Sequence, residues 1–136
     1  MSDWNKAIIE EFRANKGKVG GQFEHTNLLL LHTKGTKSGM ERVNPVAYFI
    51  DDNRYVIIAS KGGADTNPDW YRNLLANPEV SVEVGTEQFP ATAAAPSEPE
   101  RTSLYEKMEK INPGFTEYKH KTSRVIPVIT LTRRST

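Results

Sequence analysis

The chain has 136 residues, with 18 Lys plus Arg against 17 Asp plus Glu and no cysteine. That length suits a single domain with a real core. The near balance of charge argues against a dedicated nucleic-acid binder, and the lack of cysteine excludes disulfides, thiolate nucleophiles and Cys-ligated metals.

Asp3 to Asn15 reads as an amphipathic helix, because Trp4, Ile8 and Phe12 recur every four residues. Ile9 adds to that face, and Lys6, Arg13, Lys16 and Lys18 lie nearby. Such a helix can pack on its own domain, which is the preferred reading, or attach weakly to an anionic membrane surface. Gly17, Gly20 and Gly21 break it, so residues 1–22 form a helix and a glycine-rich connector to the rest of one domain, 1–136. No apolar run approaches the ~20 residues of a membrane span. Glu10, Glu11 and Arg13 interrupt any signal-peptide core, so a cytoplasmic location is expected, with peripheral contact to the inner membrane face as the variant.

Leu28 to Thr33 is a short, uniformly apolar run bounded by turn residues and is expected to be a buried strand. Val43 to Ile50 and Arg54 to Ser60 are the next two strands, joined by the turn Asp51-Asp52-Asn53. Asn67 is placed to cap a helix with Pro68 at its first position, running to Ala76. Val80, Val82 and Val84 alternate with polar residues, and Gly85 turns that strand into a partner from Glu87 to Ala94. Ser97 and Glu100 have capping-box spacing for a helix to about Lys110. A short helical piece to His120 follows the break at Asn112-Pro113-Gly114, and Val125 to Thr132 is the last strand. Pro127 inside that strand points to an edge or a bulge. The sum is a mainly β (α+β) domain: a small barrel of about six antiparallel strands with three peripheral helices.

Three segments carry candidate chemistry. In Gly35-Thr36-Lys37-Ser38-Gly39, followed by Arg42, two glycines bracket cationic and hydroxyl groups between two apolar strands. Turn amides and such side chains can converge on an anion. A solvated hairpin turn accounts for the same spacing equally well. In Ala59-Ser60-Lys61-Gly62-Gly63-Ala64, small residues at a strand end leave room for a flat ligand, or form an ordinary loop. In Asn67-Pro68-Asp69-Trp70-Tyr71-Arg72-Asn73-Leu74, Trp70 and Asn73 share a helix face just after a helix N-terminus. Alone, that segment reads as a core tryptophan and a surface asparagine. The P-loop and dinucleotide glycine patterns are absent, as is the G-x-S-x-G elbow. His25, His32 and His120 have no metal-ligand spacing and read as structural or surface residues.

In their order, these segments, with Asn44-Pro45 between the first two and Ala76-Asn77-Pro78 after the third, resemble the deazaflavin-dependent nitroreductase family of actinobacteria. The resemblance runs from about Ile8 to Leu131. It implies a split β-barrel, similar to flavin-nucleotide-binding oxidases, that uses coenzyme F-420, an 8-hydroxy-5-deazaflavin with a phosphate and glutamyl tail. It implies that Lys37, Ser38 and Arg42 meet the anionic tail, with Asn44 and Pro45 just beyond. The ring would lie by Ala59, Ser60, Lys61, Gly62 and Gly63, with Pro68, Trp70 and Asn73 as a wall. The chain departs from many relatives in having Thr36 where they have arginine.

The implied reaction is two-electron transfer of a hydride from the reduced coenzyme to a quinone or another small activated acceptor, such as a nitro compound. Tyr118, Ser60 or solvent would supply a proton. Nitroimidazole-reducing relatives carry several tyrosines where this chain has Asn112 to Tyr118, so a quinone is the expected acceptor. The alternatives are an FMN-binding split-barrel oxidoreductase, a non-enzymatic deazaflavin carrier, and a membrane-surface module built on the N-terminal helix.

Overall fold

The structure, a computed structural model, describes residues 3–20 and 26–134. The side chains of Asp3 and Trp4 lie outside that description, as do Gly21 and His25. Six strands close an antiparallel barrel: β1 (Leu28–Lys34), β2 (Glu41–Asp51), β3 (Arg54–Ile58), β4 (Glu79–Val84), β5 (Glu87–Ala94) and β6 (Val128–Arg133). Around the ring the order is β1-β2-β3-β6-β5-β4, closed by β4 pairing with β1. Four helices surround it: α1 (Asp3–Ala14), α2 (Asp69–Ala76), α3 (Glu100–Ile111) and α4 (Gly114–Lys121). The expectation of three peripheral helices is corrected to four, because the eight residues after Pro113 form a full element.

The pattern of side chains explains this closure. β1 is apolar on both faces, and both faces are covered. Leu29 and Leu31 point into the barrel with Val46, Ile57, Val82, Phe89, Ile129 and Leu131. Leu28 and Leu30 point outward onto Ile8, Ile9 and Phe12 of α1. On the far side, Phe49, Val56 and Ile58 are covered by Leu104, Tyr105 and Met108 of α3 and Phe115 of α4. Each such fully buried side chain contributes about 1.5–3 kcal/mol. The long strand β2 turns the corner: Glu41 to Ala47 pair with β1, and Tyr48 to Asp51 pair with β3.

Several local expectations are corrected. The Asn67 side chain does not cap α2; its Oδ1 accepts a hydrogen bond from Arg124 Nη1 at 2.7 Å, and Pro68 takes the cap position in extended conformation. No capping box starts α3, which has Pro99 at the cap. The Glu98 carboxylate instead accepts the Thr102 amide at 2.9 Å, one residue later in the chain than Ser97. β3 ends at Ile58 rather than Ser60, since the carbonyls of Ala59 and Ser60 are held by Arg124. β6 starts at Val128, after Pro127 rather than through it. The Pro127 carbonyl accepts the Ala59 amide at 3.0 Å, and a closed barrel has no edge there for proline to mark.

Candidate functional site

Antiparallel closure sorts the loops to two ends. The β1–β2 turn, the exit of β3, the entry to β4 and the entry to β6 share one end. All three segments with candidate chemistry therefore meet there, although they are separated in the sequence. α2 lies across this end and closes it with Trp70 and Leu74, both part of the barrel core. Asn73 is buried on the same helix and donates from Nδ2 to Thr33 Oγ1 at 3.2 Å, tying α2 to β1.

A groove of about 740 Å³ opens between the turn and α2, lined by Gly35 to Ser38, Glu41 to Asn44, Asp69, Arg72 and Asn73, with Asn5 of α1 at its border. Strand parity places two of the β2 residues in that lining, while Glu41 and Val43 reach it from the outward side at the strand's start. Arg42 pairs with Thr33 and Asn44 with Leu31, so both share the inward side with Val46 and stand at the barrel mouth. Pro45 has the outward parity of Val43 and Ala47 and, lying further along the strand than Val43, does not line the groove.

The turn itself is tight. Gly35 N–H bonds to Met40 O at 2.8 Å and Gly39 N–H to Gly35 O at 2.9 Å. A Cβ on Gly35 would lie 2.8 Å from Ser38 Oγ, so a larger residue would displace that hydroxyl. Ser38 Oγ accepts the Met40 amide at 3.1 Å and keeps its own O–H to donate. The amides of Gly35, Gly39 and Met40 are thus committed within the turn. Lys37 and Arg42 have no carboxylate partner among the described residues, whereas Arg72 is paired with Asp69 at 2.6 Å.

Ala59 to Gly63, where a ring is expected, share this end of the barrel but do not line the groove. Ala59 is fully buried at the end of β3, and Ser60 is half-buried. Lys61 to Gly63 form one 3-10 turn. Gly63 has φ +87°, and a Cβ there would lie 3.0 Å from Tyr118 O and Lys121 Cβ, so α4 can pack against the turn only at glycine. Tyr118 meets Phe115 edge-on at 5.1 Å between ring centroids and lines no groove with Lys37 and Arg42. Its neighbour Tyr105 donates to Phe115 O at 2.6 Å, and burial pushes that phenol up to about 12.

Two features were not visible as motifs. Arg124 reaches back to the loop 59–67 with four hydrogen bonds. The second is a polar cluster under α1. The Glu83 carboxylate accepts Arg13 Nε and Nη2 at 3.1 and 2.7 Å and lies 2.6 Å from His32 Nε2. Glu41 Oε1, on the groove rim, is 3.1 Å from the other ring nitrogen of His32. The bond from Arg13 holds the Glu83 carboxyl below the usual carboxylate range against the opposing effect of burial, with help from His32. His32 is buried, in keeping with a structural role, and His120 is exposed.

With this geometry in view, comparison with known proteins decides the family. A family model described as F420H(2)-dependent quinone reductase matches residues 4–133. This chain belongs to that family. An F420H(2)-dependent quinone reductase of Mycobacterium tuberculosis is 39% identical over 127 residues, covering 90% of this chain and 85% of that protein. A solved F420-H2-dependent reductase aligns with TM-score 0.70 at 37% identity, covering 76% of this chain and 92% of the other. A second structure, described as a domain-swapped dimer, is 34% identical with TM-score 0.72, covering 95% and 97%. At 17% identity and TM-score 0.62, the haem storage protein HutZ of Vibrio cholerae shares the fold alone. Membership makes the chain an oxidoreductase of the split-barrel type that depends on reduced coenzyme F-420 and has a quinone as acceptor.

Proposed function

We propose that the α2-closed end of the barrel binds reduced coenzyme F-420, with its tail in the groove of Lys37 and Arg42 and its ring toward Ala59 to Gly63. The observation that carries this reading is the pair of cations on one groove with no carboxylate partner among the described residues. The residues present suit such a group. Phosphate and glutamyl carboxylates call for fixed positive charge and donors, which Lys37, Arg42 and the Ser38 hydroxyl provide. FMN has no glutamyl tail to use a groove of this extent.

When bound, the reduced deazaflavin supplies the hydride, and the remaining tasks fall to the chain. Lys37 and Arg42 anchor the anionic end. Asn73, fixed by Thr33, and Trp70, fixed in the core, make the α2 wall rigid, which limits misplacement of the acceptor. Pro68 sets the start of that helix. We assign to the hydroxyls of Ser60 and Tyr118 the task of donating to the oxyanion that develops on the quinone, with solvent as the competing source.

We also infer one domain in a cytoplasmic enzyme. No described helix is long and apolar enough to cross a membrane. Ile8, Ile9 and Phe12 are buried on the barrel and offer no apolar face to a bilayer.

The test is direct. The purified protein is mixed with reduced coenzyme F-420 and menadione, and reoxidation is followed optically. Reoxidation well above the protein-free rate is expected. Coenzyme binding without turnover across several quinones would support a carrier instead, and tight binding of FMN in place of the deazaflavin would overturn the cofactor assignment.

A further inference from the structure

We infer that Arg124 is a positioning residue: its guanidinium holds the loop 59–67 in the shape that receives the coenzyme ring. Arg124 Nε donates to Ala64 O at 2.7 Å, Nη1 to Asn67 Oδ1 at 2.7 Å, and Nη2 to Ser60 O at 2.8 Å and Ala59 O at 3.2 Å. One planar fork thus gathers both ends of the loop, from the exit of β3 to the entry of α2. No carboxylate forms an ion pair with it among the described residues. Its charge faces three backbone carbonyls and one side-chain carbonyl, an arrangement suited to the geometry of arginine and beyond the reach of a single ammonium.

The loop needs such a hold. Lys61, Gly62 and Gly63 have successive φ values of +49°, +64° and +87°. A lysine in this region is uncommon and persists where surrounding structure imposes it. The turn's own backbone bonds are few, Gly63 N–H to Ser60 O and Ala64 N–H to Lys61 O, with one exposed side-chain bond from Lys61 Nζ to Thr66 Oγ1. Behind it, α4 packs closely at Gly63, so the turn is held between α4 and the guanidinium. Releasing the guanidinium frees Ser60, the donor assigned above, and Asn67, which precedes the helix bearing Trp70 and Asn73.

This inference rests on the ring lying against that loop, and the experiment separates the two. Arg124→Gln and Arg124→Lys are compared with the parent by amide hydrogen exchange of the cofactor-free protein and by steady-state kinetics. Exchange at residues 61–66 should quicken at least about tenfold, with the barrel strands unchanged. The kcat for menadione should fall about tenfold or more, while coenzyme affinity changes less than about threefold because the tail contacts remain. Lysine should not rescue. Should Arg124 variants fail to fold, Asn67→Ala removes one acceptor and should shift both readouts in the same direction by less. Unchanged exchange, or faster exchange with unchanged kcat, overturns the proposal. Ser60→Trp in the parent tests the ring site independently. If it abolishes turnover while Arg124→Gln leaves kcat unchanged, the ring reading stands and only the role of Arg124 falls. If Ser60→Trp turns over normally, the ring site itself is wrong, and the proposal falls with it.

Discussion

Lys37 and Arg42 offer the sharpest test of the groove. Both side chains are exposed, so each acts through a medium close to water rather than through a dry interior. A unit charge about 4 Å from an anionic oxygen is worth about 1 kcal/mol in water and up to about 4 kcal/mol at a partly shielded surface. With solvent on one side of the groove, about 1–2 kcal/mol per residue is the working value. Lys37→Ala or Arg42→Ala should therefore weaken coenzyme binding about 5- to 30-fold each. The double variant should lose less than the product, because both cations serve one tail. The turn should survive, since its hydrogen bonds involve Gly35, Ser38, Gly39 and Met40. Conversely, Thr36→Arg adds a cation to the same lining and should tighten binding about threefold or more by the same arithmetic. The assay is titration of the deazaflavin signal at low and high salt, with the intact coenzyme and with a fragment lacking phosphate and glutamates. Losses should shrink as salt screens the groove, with a Debye length near 10 Å at 0.1 M. Equal losses for fragment and intact coenzyme would refute the tail assignment.

Three other outcomes are expected. Clear menadione reduction should accompany weak or absent reduction of a bicyclic nitroimidazole, because Phe115 is buried and Asn112 Oδ1 accepts the Gly114 amide, leaving Tyr118 alone to offer a phenol from that segment; comparable catalytic efficiencies would count against this, and an unchanged rate in Tyr118→Phe would leave Ser60 or solvent as the proton source. Asn73→Leu should lower stability by about 1–3 kcal/mol, since it leaves the buried Thr33 hydroxyl unmatched, and calorimetry would show a Tm drop of several degrees. Glu83→Gln should destabilise the fold by about 1–3 kcal/mol at neutral pH, mostly through buried His32, since the half-exposed Arg13 bond is solvent-screened. The Glu83 carboxyl is depressed in the folded state, so its contribution is present above the ordinary carboxylate range and lost as pH falls through the folded value. The stability gap between parent and variant should therefore close in acid, and a gap that persists there would disprove the assignment.

Much of the barrel was legible because alternation and turn residues are local. Val80, Val82 and Val84 mark β4, and Gly85 marks its turn to β5. The apolar run from Leu28 is double-sided because α1 covers its outer face. What failed were caps and contacts decided at a distance. Asn67 has every local property of a cap, but Arg124, 57 residues later, takes its side chain. Ser97 and Glu100 have the right spacing, yet the chain enters α3 through Pro99. The same limit hid Arg124 and Glu83 from a search for motifs, since nothing near either residue marks it. Lys37, Ser38, Arg42, Asn44 and Asn73 do come together on one groove, whereas Pro45 and Tyr118 stand outside it.

The clamp on the loop also bears on how the chain matures. The loop is synthesised roughly sixty residues before the arginine that shapes it, and β3 must wait for β6, its neighbour in the closed ring. Pairings of such long range form late, after the cost of closing a large loop has been met. The groove between β1, β2 and α2 shares this delay, because Trp70 and Leu74 of α2 pack in a core that includes Ile129 and Leu131 of β6. Both faces of the proposed coenzyme site would therefore be completed only when the final strand docks.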